Sequence, residues 1–188
     1  MSARSLLNAI DQQHLFLNET FLLHQEALIL CRPELSLSIF KEYMAFQISH
    51  LTFENDFLLP ELSKIKDARW PHTLYKHEHN KVEQMLSKNL KNITEGCRYL
   101  EHEGASSTST YRRWLIELLE KQKSLKNVLE HHEAREEQGM LMELDNNLAP
   151  EAIHELCNEL DQQSKSVIES IDTLRPQWLQ ILETQETK

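Results

Sequence analysis

The chain has 188 residues, and its 30 acidic against 20 basic side chains give a formal net charge of -10. This charge argues against a nucleic acid or an anionic membrane surface as a partner, because both select basic patches. The three glycines and five prolines are too few for the many turns of an all-β fold, whereas abundant Leu, Glu, Lys and Gln favour helices. The composition therefore predicts an all-α protein.

The chain shows no signal for export, anchoring or disulfide bonding. Its first residues lead into an amphipathic stretch, and no run approaches the ~20 apolar residues of a membrane span. Cys31, Cys97 and Cys157 are odd in number and lack CxxC spacing, so we expect neither disulfides nor a thiolate zinc site. Each cysteine lies near the apolar side of its predicted helix, and we expect all three to be buried in a cytoplasmic protein.

Hydrophobic periodicity predicts five helices in this chain. Arg32-Pro33 should end the first helix and Pro60 the second, and Trp70-Pro71 should open the third. A flexible loop is expected at residues 104–110, where Gly, Ser and Thr accumulate. The expected helices start near Ser5, Leu35, Trp70, Tyr111 and Pro150.

The first four helices should form an antiparallel up-down four-helix bundle, because short connections make neighbouring helices alternate in direction. We therefore divide the chain into a bundle domain, residues 1–148, and a C-terminal amphipathic helical extension, residues 149–188. Pro176 should kink the extension before Trp178 and Ile181. The extension should pack on the bundle or pair two subunits in a homodimer.

Two copies of one motif place a histidine four residues before a glutamate on a stripe that should be apolar. The pairs are His50 with Glu54 and His132 with Glu136. On a helix, both side chains of such a pair project from one face about a turn apart. Two buried pairs of this kind indicate a metal site inside a helix bundle.

Two further histidines, His14 and His79, lie on the inward stripes of the first and third helices. His14 and His50 each lie ~18 residues from the first interhelical turn, and His79 and His132 each lie ~27 residues from the loop near Ser106. With a constant rise per residue, the four imidazoles can meet at one level. The predicted metal ligands are His14, His50, Glu54, His79, His132 and Glu136.

The other histidines fail the test of helix face or the test of level. His24 is on the inward stripe but ~15 Å along the helix from His14, so we expect a hydrogen-bonded core histidine. We assign no metal to the rest, which are His72, His77, His102, His131 and His154. A buried hydrogen-bonded network without metal remains an alternative for the six predicted ligands.

Imidazole and carboxylate without thiolate suit iron, manganese or zinc, and six such ligands exceed the needs of one tetrahedral zinc. If Glu54 and Glu136 each bridge two metals, every metal receives two nitrogens and two oxygens. A solvent bridge would add a fifth ligand and leave an open position on each octahedral iron for a small diatomic ligand. The pattern indicates no catalytic residue and no organic cofactor.

The motifs resemble those of the hemerythrin-like family, the HHE cation-binding domain. The marks are His14, the His50–Glu54 pair followed by Leu58-Leu59-Pro60, Glu78-His79, and the His132–Glu136 pair. The resemblance covers residues ~5–148 and implies a four-helix bundle around a non-haem di-iron site. Known roles of the family are O2 carriage and sensing, protection against nitric oxide, and repair of iron–sulfur clusters.

Two positions depart from the pattern of the oxygen-carrying members. Those members have a further histidine one turn before the ligand of the third helix, where Tyr75 stands here. Their second carboxylate follows its histidine by five residues, which is the position of Glu137 and not of Glu136. Tyr75 could bind as a phenolate, donate a hydrogen bond to a bound ligand, or pack without a metal role.

The resemblance implies a cytoplasmic di-iron protein that binds or senses O2 or NO, or serves in stress protection or iron–sulfur cluster repair. Whether it is an enzyme stays open. A ferritin-like oxidase or peroxidase would use Glu-x-x-His motifs, and we find one such motif, Glu151 to His154. A third interpretation is an interaction protein that sequesters a regulatory partner through its acidic surface and amphipathic extension.

Overall fold

The computed structural model describes residues 5–103 and 109–184, and every regular element within these ranges is helical. Two π-helical turns, Glu54–Leu58 and Glu136–Met140, join α-helices end to end. The described residues therefore form five continuous rods, and the all-α class is confirmed. The α-helices are α1 Leu6–Ile29, α2 Pro33–Phe53, α3 Leu59–Leu62, α4 His72–Glu103, α5 Ser109–Arg135, α6 Leu141–Asn147 and α7 Pro150–Glu183.

Side-chain caps and a tight turn hold the ends of α1. At its start, the Ser5 hydroxyl accepts the Asn8 N–H, and the Asp145 carboxylate accepts the N–H groups of Leu6 and Leu7, which satisfies amides left free in a first turn. At its end, Cys31 adopts a left-handed φ of 55°. The chain then enters α2 at Pro33, two residues before the predicted start.

The helices α4 and α5 approach closely because Gly96 carries no side chain. A Cβ at this position would collide with the Trp114 ring of α5. Cys97, next to Gly96, is buried and its thiol donates to the Pro33 carbonyl at 3.4 Å. The predicted loop at 104–110 lies largely outside the described residues.

The last rod, α7, packs along α1 and α2. Its Arg175 pairs with Glu19 at 2.6 Å, and the Ser170 hydroxyl donates to Glu42 at 3.0 Å. It runs through Pro176 as one helix, so the predicted kink stays a prediction. Its buried apolar residues include Ile153, Cys157, Leu160, Ile171, Trp178 and Leu182.

One prediction of burial is wrong. Cys31 is exposed, since it belongs to the turn after α1 and not to the helix face, whereas Cys97 and Cys157 are buried as expected. Within the described residues, no helix combines the length and apolarity needed to cross a bilayer.

Besides a small apolar cluster around Leu100 and Tyr111, the core consists of two apolar clusters with a polar layer between them. One cluster includes Leu17, Phe46 and Val82, and the other includes Ile10 and Met140. On each of the four rods that start with α1, α2, α4 and α5, apolar residues of both clusters flank the same short polar stretch. The layer consists mainly of His14, His50, Glu54, His79, His132 and Glu136.

Candidate metal centre

The structure brings all six predicted ligands together, and they are almost completely buried. None of the six is more than 3% exposed, and both glutamates are at 0%. The helices α1 and α4 contribute His14 and His79, and α2 and α5 contribute His50 and His132 near their ends. Each glutamate is the first residue of a π-helical turn.

The ligand atoms form two groups that share both carboxylates. One group contains His14 and His50, the other contains His79 and His132, and each includes Glu54 and Glu136. Within each group, the ligand atoms lie within 4.8 Å of one another, which is close enough to hold a metal ion.

Each carboxylate directs one oxygen to each group. For Glu54, Oε1 lies 3.4 Å from His50 Nε2, and Oε2 lies 3.3 Å from His79 Nε2. For Glu136, Oε2 lies 3.3 Å from His14 Nε2, and Oε1 lies 2.7 Å from His132 Nε2. Each carboxylate therefore lies between the two histidine pairs and offers one oxygen to each.

Most of the converging atoms lack a hydrogen-bond partner. All four carboxylate oxygens and the Nε2 atoms of His79 and His132 are buried without one. His14 Nε2 and His50 Nε2 face each other at 3.1 Å. Buried polar atoms without partners cost about 1–3 kcal/mol each, and buried carboxylates cost more, so a bound cation would stabilise this layer.

Outer hydrogen bonds orient three of the four imidazoles. The Nδ1 atoms of His50 and His79 lie 3.0 Å from Gln13 Oε1 and Asn55 Oδ1, and His132 Nδ1 lies 3.1 Å from Glu78 Oε2. An acceptor at Nδ1 fixes the proton on that nitrogen, which turns the Nε2 lone pair toward the cluster. Neutral imidazoles held in this way are the common form of a metal-binding histidine.

The two glutamates differ in pKa because of their surroundings. Burial and the Glu136 charge raise the pKa of Glu54 to about 7. Burial also disfavours ionisation of Glu136, but His132, His14 and His79 hold its pKa well below its usual range. Without a cation, one carboxylate therefore tends to take up a proton while the other pairs with imidazolium.

The imidazole pKa values also diverge. Burial disfavours the charged form of His132, but Glu136 and Glu54 raise its pKa to about 9. Burial and the neighbouring His14 lower the pKa of His50 well below its usual range. Metal binding requires deprotonated ligands, so a bound cation would have to displace these protons.

The Tyr75 hydroxyl bonds within the π-helical turn after α5, and the Tyr75 ring packs edge-on against His132, with 6.4 Å between the ring centroids. The hydroxyl donates to the Arg135 carbonyl and accepts the Met140 N–H, each at 3.2 Å. These two groups have the spacing of a π-helical hydrogen bond, and the hydroxyl stands between them. Burial raises the Tyr75 pKa to about 12, so of the three roles left open, packing without a metal role fits the structure.

Neither departure from the oxygen-carrying pattern adds a ligand. Glu137 is half-buried, and it belongs to neither group of converging atoms. Glu136 reaches both groups because it begins the π-helical turn, as Glu54 does on the other rod. The two motifs therefore carry the same local structure.

His24 is a hydrogen-bonded core histidine, as predicted. Its Nδ1 lies 2.9 Å from the Ser36 carbonyl oxygen, and its Nε2 lies 2.6 Å from Gln122 Nε2. Burial lowers its pKa to about 4. Three other histidines, His77, His131 and His154, are exposed, His72 is half-buried, and the His102 side chain lies outside the described part.

The Glu-x-x-His motif at the start of α7 does not contribute to the buried layer. Both Glu151 and His154 are exposed. The ferritin-like interpretation therefore receives no support from this motif.

No protein-family model matches the sequence, and neither a curated protein nor a solved structure matches it.

The sequence prediction did not include the outer acceptors Gln13, Asn55 and Glu78. Each stands next in sequence to a predicted ligand but contacts a histidine on another helix. That adjacency is the signal that would have found them, since a residue beside an inward ligand points toward the neighbouring helix.

Proposed function

We propose that the buried layer is a dinuclear iron centre. The observation that carries the proposal is the division of the Glu54 and Glu136 oxygens between two histidine pairs. Two ligand atoms at ~2.1 Å from one ion and at right angles lie about 3.0 Å apart, and the four nitrogen–oxygen distances of 2.7 to 3.4 Å match this spacing. Their unpartnered oxygens supply the negative charge that two cations require.

Iron is favoured over zinc by the ligand set. Two nitrogens and two carboxylate oxygens per position, without thiolate, suit a non-haem iron that keeps open positions. Structural zinc sites are usually closed by four ligands, most of them thiolate or imidazole. A single zinc site of this kind does not need two metal positions that share both carboxylates.

We further propose the antiparallel up-down four-helix bundle of the hemerythrin-like family for residues 1–148. The order of burial supports it. Along α1, the chain passes from the cluster of Ile10 to the cluster of Leu17, and along α2 it passes back from Phe46 to Leu58. The α4 and α5 rods repeat the alternation, from Tyr75 to Val82 and from Leu129 to Met140.

The function we propose is binding or sensing of O2 or NO, with stress protection and iron–sulfur cluster repair as the associated roles. Ferrous ions, when bound, supply electrons to such a diatomic molecule. The chain provides a layer enclosed by apolar clusters on both sides, which favours a diatomic ligand over an organic substrate. Gln13, which bonds to His50, also lines a cavity of about 460 Å³ beside α7, and we propose that the ligand enters from this side.

Metal analysis of matched histidine variants tests the proposal. The metal-free protein is reconstituted with ferrous iron under anaerobic conditions, and the retained iron is measured after desalting. We expect about two irons per chain, loss of iron in His132→Ala, and full retention in His131→Ala, whose exposed imidazole is the adjacent residue. Less than one iron per chain, or equal loss in both variants, would refute the dinuclear centre.

The ligand is tested by exposing the reconstituted protein to O2 and to NO in separate samples. We expect one of them to change the near-ultraviolet and visible absorption, and His131→Ala should give the same change. An iron-loaded protein with an unaltered spectrum under both gases would contradict the proposed ligand class while leaving the metal centre intact.

A further inference from the structure

The outer acceptors follow a cyclic order around the helices. Gln13 precedes the α1 ligand in sequence and contacts His50 of α2. Asn55 follows Glu54 and contacts His79 of α4. Glu78 precedes His79 and contacts His132 of α5. In each case, a residue adjacent to a ligand on one rod supports the histidine of the next rod.

One step of the cycle is missing, from α5 back to α1. His14 Nδ1 is buried and has no hydrogen-bond partner, although the outer nitrogens of the other three imidazoles all have one. The residue next to the α5 ligand His132 is Glu133. Its position in the sequence is the one that the cyclic order assigns to the acceptor of His14.

The structure puts the Glu133 carboxylate against α1. Asn18, one helical turn after His14, donates its side-chain N–H to Glu133 Oε2 at 3.3 Å. Burial disfavours the charged form of His14, but the carboxylates of Glu136, Glu133 and Glu54 raise its pKa. Glu136 and Glu54 belong to the inner layer, where they face Nε2 atoms. Glu133 is therefore the one of the three that can serve the outer nitrogen of His14, Nδ1.

We propose that Glu133 is the positioning residue of His14, accepting a hydrogen bond from His14 Nδ1–H when a cation binds at Nε2. The inference rests on the proposed dinuclear centre. The carboxylate needs to turn from the Asn18 amide toward the adjacent ring, which lies on the same face of α1. The imidazole then holds the orientation that the other three already have.

The completed cycle gives the two metal positions equal support. His14 and His132 are backed by the carboxylates of Glu133 and Glu78, and their partners His50 and His79 are backed by amides. A carboxylate makes the imidazole a more basic ligand than an amide does. Each position therefore has one histidine of each kind.

Anaerobic calorimetric titration with Co²⁺ alone tests the inference. In Glu133→Ala, one of the two binding events should weaken about 10–100-fold while the other stays unchanged. Glu133→Gln keeps an acceptor oxygen and should restore most of the affinity. Glu130→Ala, an exposed acid on the same helix, controls for the loss of one negative charge.

Proton NMR of the Co²⁺ protein supplies a readout that general destabilisation does not move. Imidazole N–H protons on Co²⁺ ligands are strongly shifted, and the His14 N–H signal should vanish by solvent exchange in Glu133→Ala and return in Glu133→Gln. Unchanged affinity and an intact signal in Glu133→Ala would overturn the role of Glu133. Fewer than two Co²⁺ ions bound by the unaltered protein would instead overturn the dinuclear centre and, with it, this role.

Discussion

Alanine at His24 or at His50 should separate a structural histidine from a metal-binding one. His24 is fully buried and contacts Ser36 and Gln122. Its removal takes a hydrogen-bond partner from the Gln122 amide nitrogen and from the Ser36 hydroxyl, at about 1–3 kcal/mol each, and opens a cavity the size of a ring. We therefore expect His24→Ala to lower the free energy of unfolding by about 4 kcal/mol with full metal content.

The His50→Ala variant should show the opposite pattern. His50 supplies one of the two nitrogens of the first position, so its loss should remove at least one iron per chain. The imidazole lies beside His14 in the buried polar layer, and burial and His14 lower its pKa well below its usual range. Without metal, His50→Ala should therefore lower the free energy of unfolding by less than His24→Ala does.

The assay pairs urea denaturation of the chelator-treated proteins with iron analysis of the reconstituted ones. Both variants are compared with the unaltered protein at the same pH and salt concentration. Loss of iron in His24→Ala equal to that in His50→Ala, with the folded state intact, would refute the assignment of the two histidines.

Three further predictions concern single residues. Burial lowers the pKa of His24 to about 4 from its ordinary 6.5, so between these values the unfolded chain binds a proton that the folded one excludes. The contribution of neutral His24 to the free energy of unfolding is therefore full above pH 6.5 and is lost as pH falls toward 4, by up to about 3 kcal/mol. Denaturation of the metal-free protein across this pH range should show the loss, and the free energy of unfolding of His24→Gln should depend less on pH. Tyr75→Phe should lower the free energy of unfolding by about 1–2 kcal/mol because the Met140 N–H loses its acceptor. Iron analysis should find the metal retained, and a loss of iron would mean that Tyr75 takes part in metal binding. Gly139→Ala should lower the thermal midpoint, because its Cβ would lie 2.6 Å from the Trp70 ring, and an unchanged midpoint would mean that the ring moves freely.

The helices and the level of the polar layer could be predicted from the sequence because both depend on local geometry. A constant rise per residue places His14 and His50 at matching distances from their turn without knowledge of the packing. The motif spacing sets His132 and Glu136 on one face for the same reason. The structure brings these side chains together, and their role as ligands stays a prediction.

The rest depends on contacts between helices, which a periodic pattern does not contain. At the π-helical turn after α5, for example, the Tyr75 hydroxyl of α4 bonds to both the Arg135 carbonyl and the Met140 N–H. The outer acceptors are found only once the rotation of each helix is known, since Asn55, in the π-helical turn after α2, bonds to His79 on α4. Cys31 is exposed because it adopts a left-handed φ in the turn after α1, and a cysteine in the sequence does not predict that conformation.

Anomalous diffraction at the iron absorption edge, from crystals of the iron-loaded protein, tests the central claim most directly. We expect two separate peaks, one between His14 and His50 and one between His79 and His132, with Glu54 and Glu136 reaching both. A single peak, or peaks beside His24 or on the surface, would contradict the account.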